Sequence, residues 1–433
     1  MSLNKTTKIE IPILARVEGE GALDLEITDG KITKCDVRIY EPPRYFEKFL
    51  EGRTPNEVID AVARICGICP LAYQTAAAGA MEQVFGIEIS QWAKDARLLM
   101  MLGQWIHSQY LHVHLLAAPD FLGYRSGIEM AKDYPNEVLR GVRLQHIGND
   151  IMKLFGSRSV HPNGIKLGGF WHSPKESIVK AFIPRIEAAL KDAEDVIKFV
   201  STLKFPDVTI PFTQVSLRHP TEYPVIADHI VTSDGLEFNV NEYDQHFREF
   251  HAPQSTALHS TTLDGRPILL GPLSRINLNF DRLPKHIQEM ANATGVQFPS
   301  NNMFHSIIAR AIDGYWALER SLELCKAYEY TETPSAPEKV CAGDAWFAVE
   351  APRGIQIDHF TFDAEGKATK IRISAPTSQN LPCMEADLRV ALEKFGLDRP
   401  DHEIQLHAEM VIRNYDPCIS CSAHFLTLNV TRK

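Results

Sequence analysis

The sequence predicts an α+β protein: a core of long helices, with small antiparallel sheets near the N-terminus and in the C-terminal half. Two observations carry this. Near the start, KIEIPILARVEG and ALDLEITDGKITKCDVRIY alternate apolar and polar residues, the period of strands with one buried face. From residue 54 onward the apolar residues recur at helical spacing over long stretches, and strand alternation returns only after residue 205 and again after 340. Long helices between strand-rich flanks make a helical bundle with sheets packed on it. We expect residues 1–433 to form a single domain. Within it, 1–53 is a β region, 54–204 and 284–330 the helical core, 205–283 and 340–380 β-rich, and 381–433 C-terminal helices with a metal-binding tail.

Thr28-Asp29-Gly30-Lys31 separates two alternating runs and reads as a hairpin turn. Thr54-Pro55-Asn56-Glu57 is a capping box with proline at the first helical position, opening a helix toward Cys66. The stretch from Ser90 to Asp120 is apolar on most sides, as a buried central helix would be. Residues 136–156 form another helix. Ser173-Pro174-Lys175-Glu176 has the pattern of a second capping box, for a helix running to about residue 203. Residues 302–330 supply a fifth long helix, and two more are expected at 385–395 and 403–413. DVTIPFTQVSLR and AWFAVEAPRGIQIDHFTFDAEGKATKIRIS read as strands, with Glu365-Gly366 in a turn.

Composition narrows the function. The formal net charge is −10 and there is no basic tract, which argues against a nucleic-acid partner. No apolar run is long enough to span a membrane. MSLNKTTKIEIP lacks the apolar centre of a signal peptide, so a cytoplasmic location is expected. Of eight cysteines, Cys35, Cys325, Cys341 and Cys383 stand alone, while Cys66/Cys69 and Cys418/Cys421 form two C-x-x-C pairs. Without a secretory signal these read as thiols or metal ligands rather than a disulfide framework. Four thiolates on one ion make a soft site, suited to zinc, an iron–sulfur cluster, copper(I) or nickel. A structural zinc site spanning nearly the whole chain is strained, and two separate redox dithiols are the other plain reading.

Here the sequence resembles the catalytic large subunit of a nickel–iron hydrogenase. The resemblance rests on R-x-C-G-x-C early and D-P-C-x-x-C-x-x-H late, with four ordered blocks between or before them. These are Arg16-Val17-Glu18-Gly19, Arg44-Tyr45-Phe46-Glu47 with Gly52-Arg53-Thr54-Pro55, Gly156 to Pro162, and Glu350-Ala351-Pro352-Arg353-Gly354 followed by Ala375 to Asn380. It implies that Cys66, Cys69, Cys418 and Cys421 bind nickel, with Cys69 and Cys421 also bridging to an iron that carries carbon monoxide and cyanide. One departure stands out: where such enzymes often have histidine four positions after the second cysteine, this chain has Tyr73.

The resemblance assigns further roles. Glu18 takes the proton released when dihydrogen splits heterolytically, as a buried carboxylic acid with a raised pKa can do. Arg353 lies over the open metal position, where its planar fork could not be replaced by lysine. It needs a carboxylate partner, and Asp120 is the expected one. Pro352, Pro376 and Thr377 surround the iron's diatomic ligands. Glu47, the Ile373 carbonyl and His424 hold a magnesium ion or second iron(II) near the C-terminus, an oxygen-rich set suited to a hard cation. His107, His112, His114 and His161 receive no role. Residues 425–433, after His424, alternate like a short strand. In precursors of this family a C-terminal peptide follows that histidine.

The four isolated cysteines cannot house iron–sulfur clusters, so the resemblance implies a small iron–sulfur partner subunit. LAAPDFLG and HPNGIKLGG are similar to the cytosolic, bidirectional class, linked to NAD(P) through flavin- and iron–sulfur-containing diaphorase-type subunits. A ferredoxin-linked or electron-bifurcating complex and a structural four-cysteine zinc protein are the alternatives. The substrate in the first reading is dihydrogen and protons.

Overall fold

The computed structural model describes residues 6–423, so His424 and the tail after it lie outside the described residues. Strands Thr6–Ile11, Gly21–Thr28 and Lys31–Ile39 pair in that order, antiparallel throughout. The expected hairpin is present: Asp29 and Gly30 both have positive φ, 51° and 74°, which is what a two-residue turn matched to strand twist requires. One face of this sheet (Ile9, Ile11, Leu23, Leu25, Val37, Ile39) is buried with the apolar faces of Pro376–Phe395 and Asp401–Asn414.

The bundle consists of Pro70–Phe85, Gln91–Leu111, Pro135–Gly156, Ile183–Ser201 and Ser306–Ala327. Gln91–Leu111 lies at its centre, packed on Pro135–Gly156 and Ser306–Ala327. The first of these crossings is a backbone contact: a Cβ added at Gly148 would lie 2.4 Å from the His107 amide nitrogen. Only glycine permits that approach. No helix among the described residues is long and apolar enough to cross a membrane.

Several elements differ from the sequence expectation. The Thr54 capping box forms, with the Glu57 carboxylate accepting from both Thr54 N–H and its hydroxyl, each at 2.9 Å. Its helix, however, ends at Val62, and a new one over Pro70–Phe85 starts directly after Cys69. That second helix is buried on nearly all sides, polar Gln74, Thr75 and Glu82 included, and has no amphipathic stripe to read. The central helix starts at Gln91, with Ser90 capping Ala93 N–H at 3.2 Å, but turns into a π-helix at His112–Ala117. The second capping box does not form: the helix is capped by Lys175 and interrupted after Lys180, while Ser173 bonds the Tyr328 hydroxyl at 2.9 Å. Pro184 explains the break, because proline can only begin the helix Ile183–Ser201.

The region expected to be β-rich from 205 to 283 also contains the helix Pro272–Asn279. Four of its strands form a sheet in which Ile268–Leu269 runs parallel to Thr213–Arg218 and the other neighbours are antiparallel, and Phe247–His251 pairs with Leu258–Thr262 in a separate antiparallel sheet. The late alternating run forms three antiparallel strands, Gly343–Ala351, Gly354–Phe362 and Ala368–Ser374. Ala351 pairs with Gly354, so Pro352 and Arg353 are the two residues of a hairpin tip. Finally, the helix expected at 385–395 begins nine residues or more earlier, at Pro376.

Candidate metal centre

The two C-x-x-C pairs meet although they come from opposite ends of the chain. The sulfurs of Cys66, Cys69, Cys418 and Cys421 all lie within 4.8 Å of one another and are buried. Cys66 Sγ is 3.4 Å from Cys418 Sγ, Cys69 Sγ is 3.3 Å from Cys421 Sγ, and Cys418 Sγ is 2.9 Å from Cys421 Sγ. Among the described residues no other set of histidine, cysteine or carboxylate side chains converges in this way. Such a donor set fits a soft transition-metal ion.

Local structure aims each pair. Cys69 precedes Pro70, so the first pair sits at the N-terminus of a 16-residue helix, where the dipole favours thiolate. Cys66 Sγ accepts the N–H groups of Cys69 (3.1 Å) and Ile68 (3.3 Å). Cys418 caps the one-turn helix Ile419–Ser422 and Cys421 lies within it, the helix being reached after a left-handed turn at Asp416, φ 53°. Burial opposes the Cys66 thiolate, but S–H donation from Cys418, Cys421 and Cys69 outweighs it and lowers its pKa. Burial raises the pKa of Cys69, Cys418 and Cys421 well above the ordinary thiol range. A bound cation reverses that order, since metal ligands must be thiolates.

The tail is stitched to the first loop. Ile419 N–H donates to the Glu18 carbonyl at 2.9 Å and Glu18 N–H to the Pro417 carbonyl at 3.4 Å, a parallel bridge between Glu18 and Cys418. The Arg44 guanidinium donates to the carbonyls of Ile65 (2.6 Å) and Ser420 (2.5 Å), joining the two cysteine loops directly. Arg44 lay in a matched sequence block, but nothing in its type foretold that task.

Glu18 is half-buried rather than buried. Its Oε2 is 3.1 Å from Cys418 Sγ and accepts Ser420 N–H at 3.0 Å. Thr377 Oγ1 accepts Cys418 N–H at 3.0 Å, and Pro376 and Thr377 open the helix Pro376–Phe395. Pro352 and Arg353 reach the same region from their hairpin tip. The Arg353 guanidinium donates through Nε to the Asp416 carbonyl (2.7 Å) and through Nη2 to its carboxylate (3.1 Å). Its Nη1 is buried without a partner among the described residues. Burial disfavours this cation, but Asp416 and the nearby sulfurs of Cys418, Cys69 and Cys66 together raise its pKa.

The expected partner of Arg353 is therefore corrected. Asp120 accepts from Arg16 and from Arg413 Nε and Nη2, both at 2.8 Å. It sits just past the π-helix and faces the loop before Glu18 and the helix before Cys418. Asp416 wins Arg353 because its left-handed backbone turns both its carboxylate and its carbonyl toward the guanidinium. The D-P-C motif contained this residue, and a carboxylate two positions before a metal ligand was the available signal.

Tyr73 occupies the departure position with its hydroxyl buried and without a hydrogen-bond partner among the described residues. Burial, with the charges of Cys421 and Cys69, raises its pKa well above the ordinary range. At the other proposed cation position, Glu47 Oε1 accepts Ile373 N–H at 2.8 Å. Its pKa is pushed up to about 7 by burial, against the Ile373 hydrogen bond. A cation there would be favoured over a lone buried carboxylate, but the third expected ligand, His424, lies outside the described residues.

A family model described as nickel-dependent hydrogenase matches residues 44–139. The chain is 31% identical to sulfhydrogenase 1 subunit alpha of Pyrococcus furiosus over 97% of its own length and 98% of that protein's. It is 30% identical to sulfhydrogenase 2 subunit alpha of the same organism, over 97% and 100%. Among solved structures, a chain of an NAD+-reducing [NiFe]-hydrogenase in the H2-reduced state superposes with a TM-score of 0.89 at 22% identity. That match covers 96% of this chain and 99% of the other.

Proposed function

Because the chain belongs to the nickel-dependent hydrogenases as a large subunit, we propose that its four converging thiolates hold nickel, with Cys69 and Cys421 shared with iron. The protein is an oxidoreductase acting on dihydrogen, and membership in this family displaces the structural zinc reading. The observation that carries the metal assignment is the meeting of four buried sulfurs within 4.8 Å. When bound, the nickel–iron pair supplies a Lewis-acidic, redox-active place for dihydrogen to split.

The chain's own residues do the rest. Proton transfer runs from the Cys418 sulfur to Glu18 Oε2, a distance of 3.1 Å, within reach for a general base. The Ser420 N–H on the same oxygen fixes the carboxylate. Arg353 presents its unshared Nη1 to the substrate side, and Asp416 holds the rest of the fork. Pro352, Pro376 and Thr377 would line the space for the iron's carbon monoxide and cyanide. Glu47, the Ile373 carbonyl and His424 would hold magnesium or a second iron(II).

Electrons leave through a small iron–sulfur subunit and then flavin-containing subunits to NAD(P). Supporting this, Cys35, Cys325, Cys341 and Cys383 join no cluster among the described residues, and the neighbouring fold is that of an NAD+-reducing enzyme. The purified complex should contain nickel and iron and absorb in the infrared where only bound carbon monoxide and cyanide do. Serine at any one of the four cysteine positions should abolish hydrogen turnover and lower nickel. Full activity in any of those variants defeats the assignment. Reduction of ferredoxin but not NAD(P) would redirect the acceptor.

A further inference from the structure

Two helices of the bundle, neither carrying a motif residue, reach the Arg353 hairpin. Arg310, from Ser306–Ala327, donates through Nη1 to Asp416 Oδ2 (3.2 Å) and to Gln109 Oε1 (2.9 Å), and through Nη2 to the Tyr415 carbonyl (3.4 Å). Gln109, from Gln91–Leu111, donates through Nε2 to the Pro352 carbonyl at 3.2 Å. Since Pro352 and Arg353 are bonded, these contacts close a ring: Arg353, Asp416, Arg310, Gln109, Pro352. Every side chain in it is buried, Arg310 and Gln109 at 0% exposure and Asp416 and Arg353 at 3%.

A ring built only for stability would balance its charge. This one does not: two guanidiniums share the single carboxylate of Asp416, one on each oxygen. Burying an uncompensated cation is costly, so such an arrangement needs a neighbouring negative charge. Two neighbours act in that sense: the sulfurs of Cys418, Cys69 and Cys66 on Arg353, and the Asp313 carboxylate on Arg310. Arg310 is pushed down to about 10 by burial, with Arg353 adding to the effect against Asp416, and so stays cationic near neutrality. By occupying half of Asp416 it leaves Arg353 only partly neutralised.

We propose that Arg310 and Gln109 are positioning residues for the hydrogen reaction, clamping Asp416 and the Pro352 carbonyl so that Arg353 is held fixed and under-neutralised beside the sulfurs. This rests on the reading that Arg353 acts at the metal site. Arg310→Lys keeps the charge but cannot serve Asp416, Gln109 and Tyr415 with one planar fork. Arg310→Gln loses the charge as well. Gln109→Glu is isosteric and loses the donor to Pro352.

The test uses the assembled complex, read by nickel and iron content, KM and kcat for dihydrogen, and the infrared bands of the iron's ligands. We expect full metal in Arg310→Lys, a KM within about twofold, and kcat lowered about tenfold, with about a hundredfold loss in Arg310→Gln. The infrared bands should move in both, because the field at the iron changes, a change that lost packing alone would not produce. Gln109→Glu should lower kcat about threefold to tenfold with metal retained. The proposal is overturned if the metal-loaded variants keep kcat within twofold and wild-type bands. It is equally overturned if Arg310→Lys and Gln109→Glu both fail to load metal, since the ring would then serve assembly. If Arg353→Lys itself proves fully active, the underlying reading fails instead.

Discussion

Glu18 Oε2 lies 3.1 Å from Cys418 Sγ, although the two residues stand near opposite ends of the chain. A parallel bridge keeps their backbones side by side, and the Ser420 N–H holds the carboxylate at 3.0 Å. Glu18→Gln therefore keeps the shape and the Ser420 N–H contact while losing the titratable proton. We expect normal nickel and iron content and loss of hydrogen/deuterium exchange with solvent. Exchange at the wild-type rate would move the proton route elsewhere.

Arg353 makes two donations to Asp416 and keeps one nitrogen unshared. Lysine can satisfy the ion pair but not the fork. Arg353→Lys should fold, load metal and lose at least about a hundredfold in kcat, the scale of a missing preorganised donor. Unchanged turnover, or failed metal loading, would contradict the role.

Asp120 separates stability from catalysis. It joins Arg16 to Arg413, with side chains 15%, 2% and, for Asp120 itself, 9% exposed. Removing one partner of such a network costs about 3 kcal/mol. Asp120→Ala should thus lower the melting temperature of the complex, while molecules that hold metal keep kcat within about twofold. A large fall in kcat at full metal occupancy and unchanged melting would return Asp120 to the reaction.

Asp387 supplies a pH signature. It is buried on Pro376–Phe395, accepts the Tyr415 hydroxyl at 3.0 Å, and burial pushes its pKa up to about 7 against that hydrogen bond. A carboxyl raised in the folded state stabilises it fully below its unfolded pKa, and that contribution is lost as pH rises through about 7. The melting temperature should fall between pH 5 and 8, and Asp387→Asn, which cannot titrate, should remove roughly several degrees of that fall. Identical pH profiles for the two proteins would show that Asp387 is not the titrating group.

Much of the fold was legible where the signal is local. The Asp29-Gly30 turn and the Thr54 capping box formed as their residues dictate, because turn chemistry and helix capping involve only near neighbours. Pro70–Phe85 was not, since a helix buried on all sides carries no polar stripe. Nor was the early start at Pro376, whose helix buries polar Thr377, Ser378, Gln379 and Asn380, residues that read as a loop in isolation.

The sequence by itself determined which side chains the site contains: two thiol pairs, a carboxylic acid, an arginine and a hydroxyl, each within a short ordered block. Only the tertiary structure decided who partners whom. Asp120 and Asp416 are both aspartates beside helix ends, and no pattern ranks them. Asp416 faces Arg353 because a left-handed residue ends the preceding helix and the Ala351–Gly354 hairpin meets it there. Arg310 and Gln109 were invisible for the same reason. Hydrogen bonds between residues hundreds of positions apart depend on how packed helices orient buried polar groups, and that orientation exists only once the core has closed.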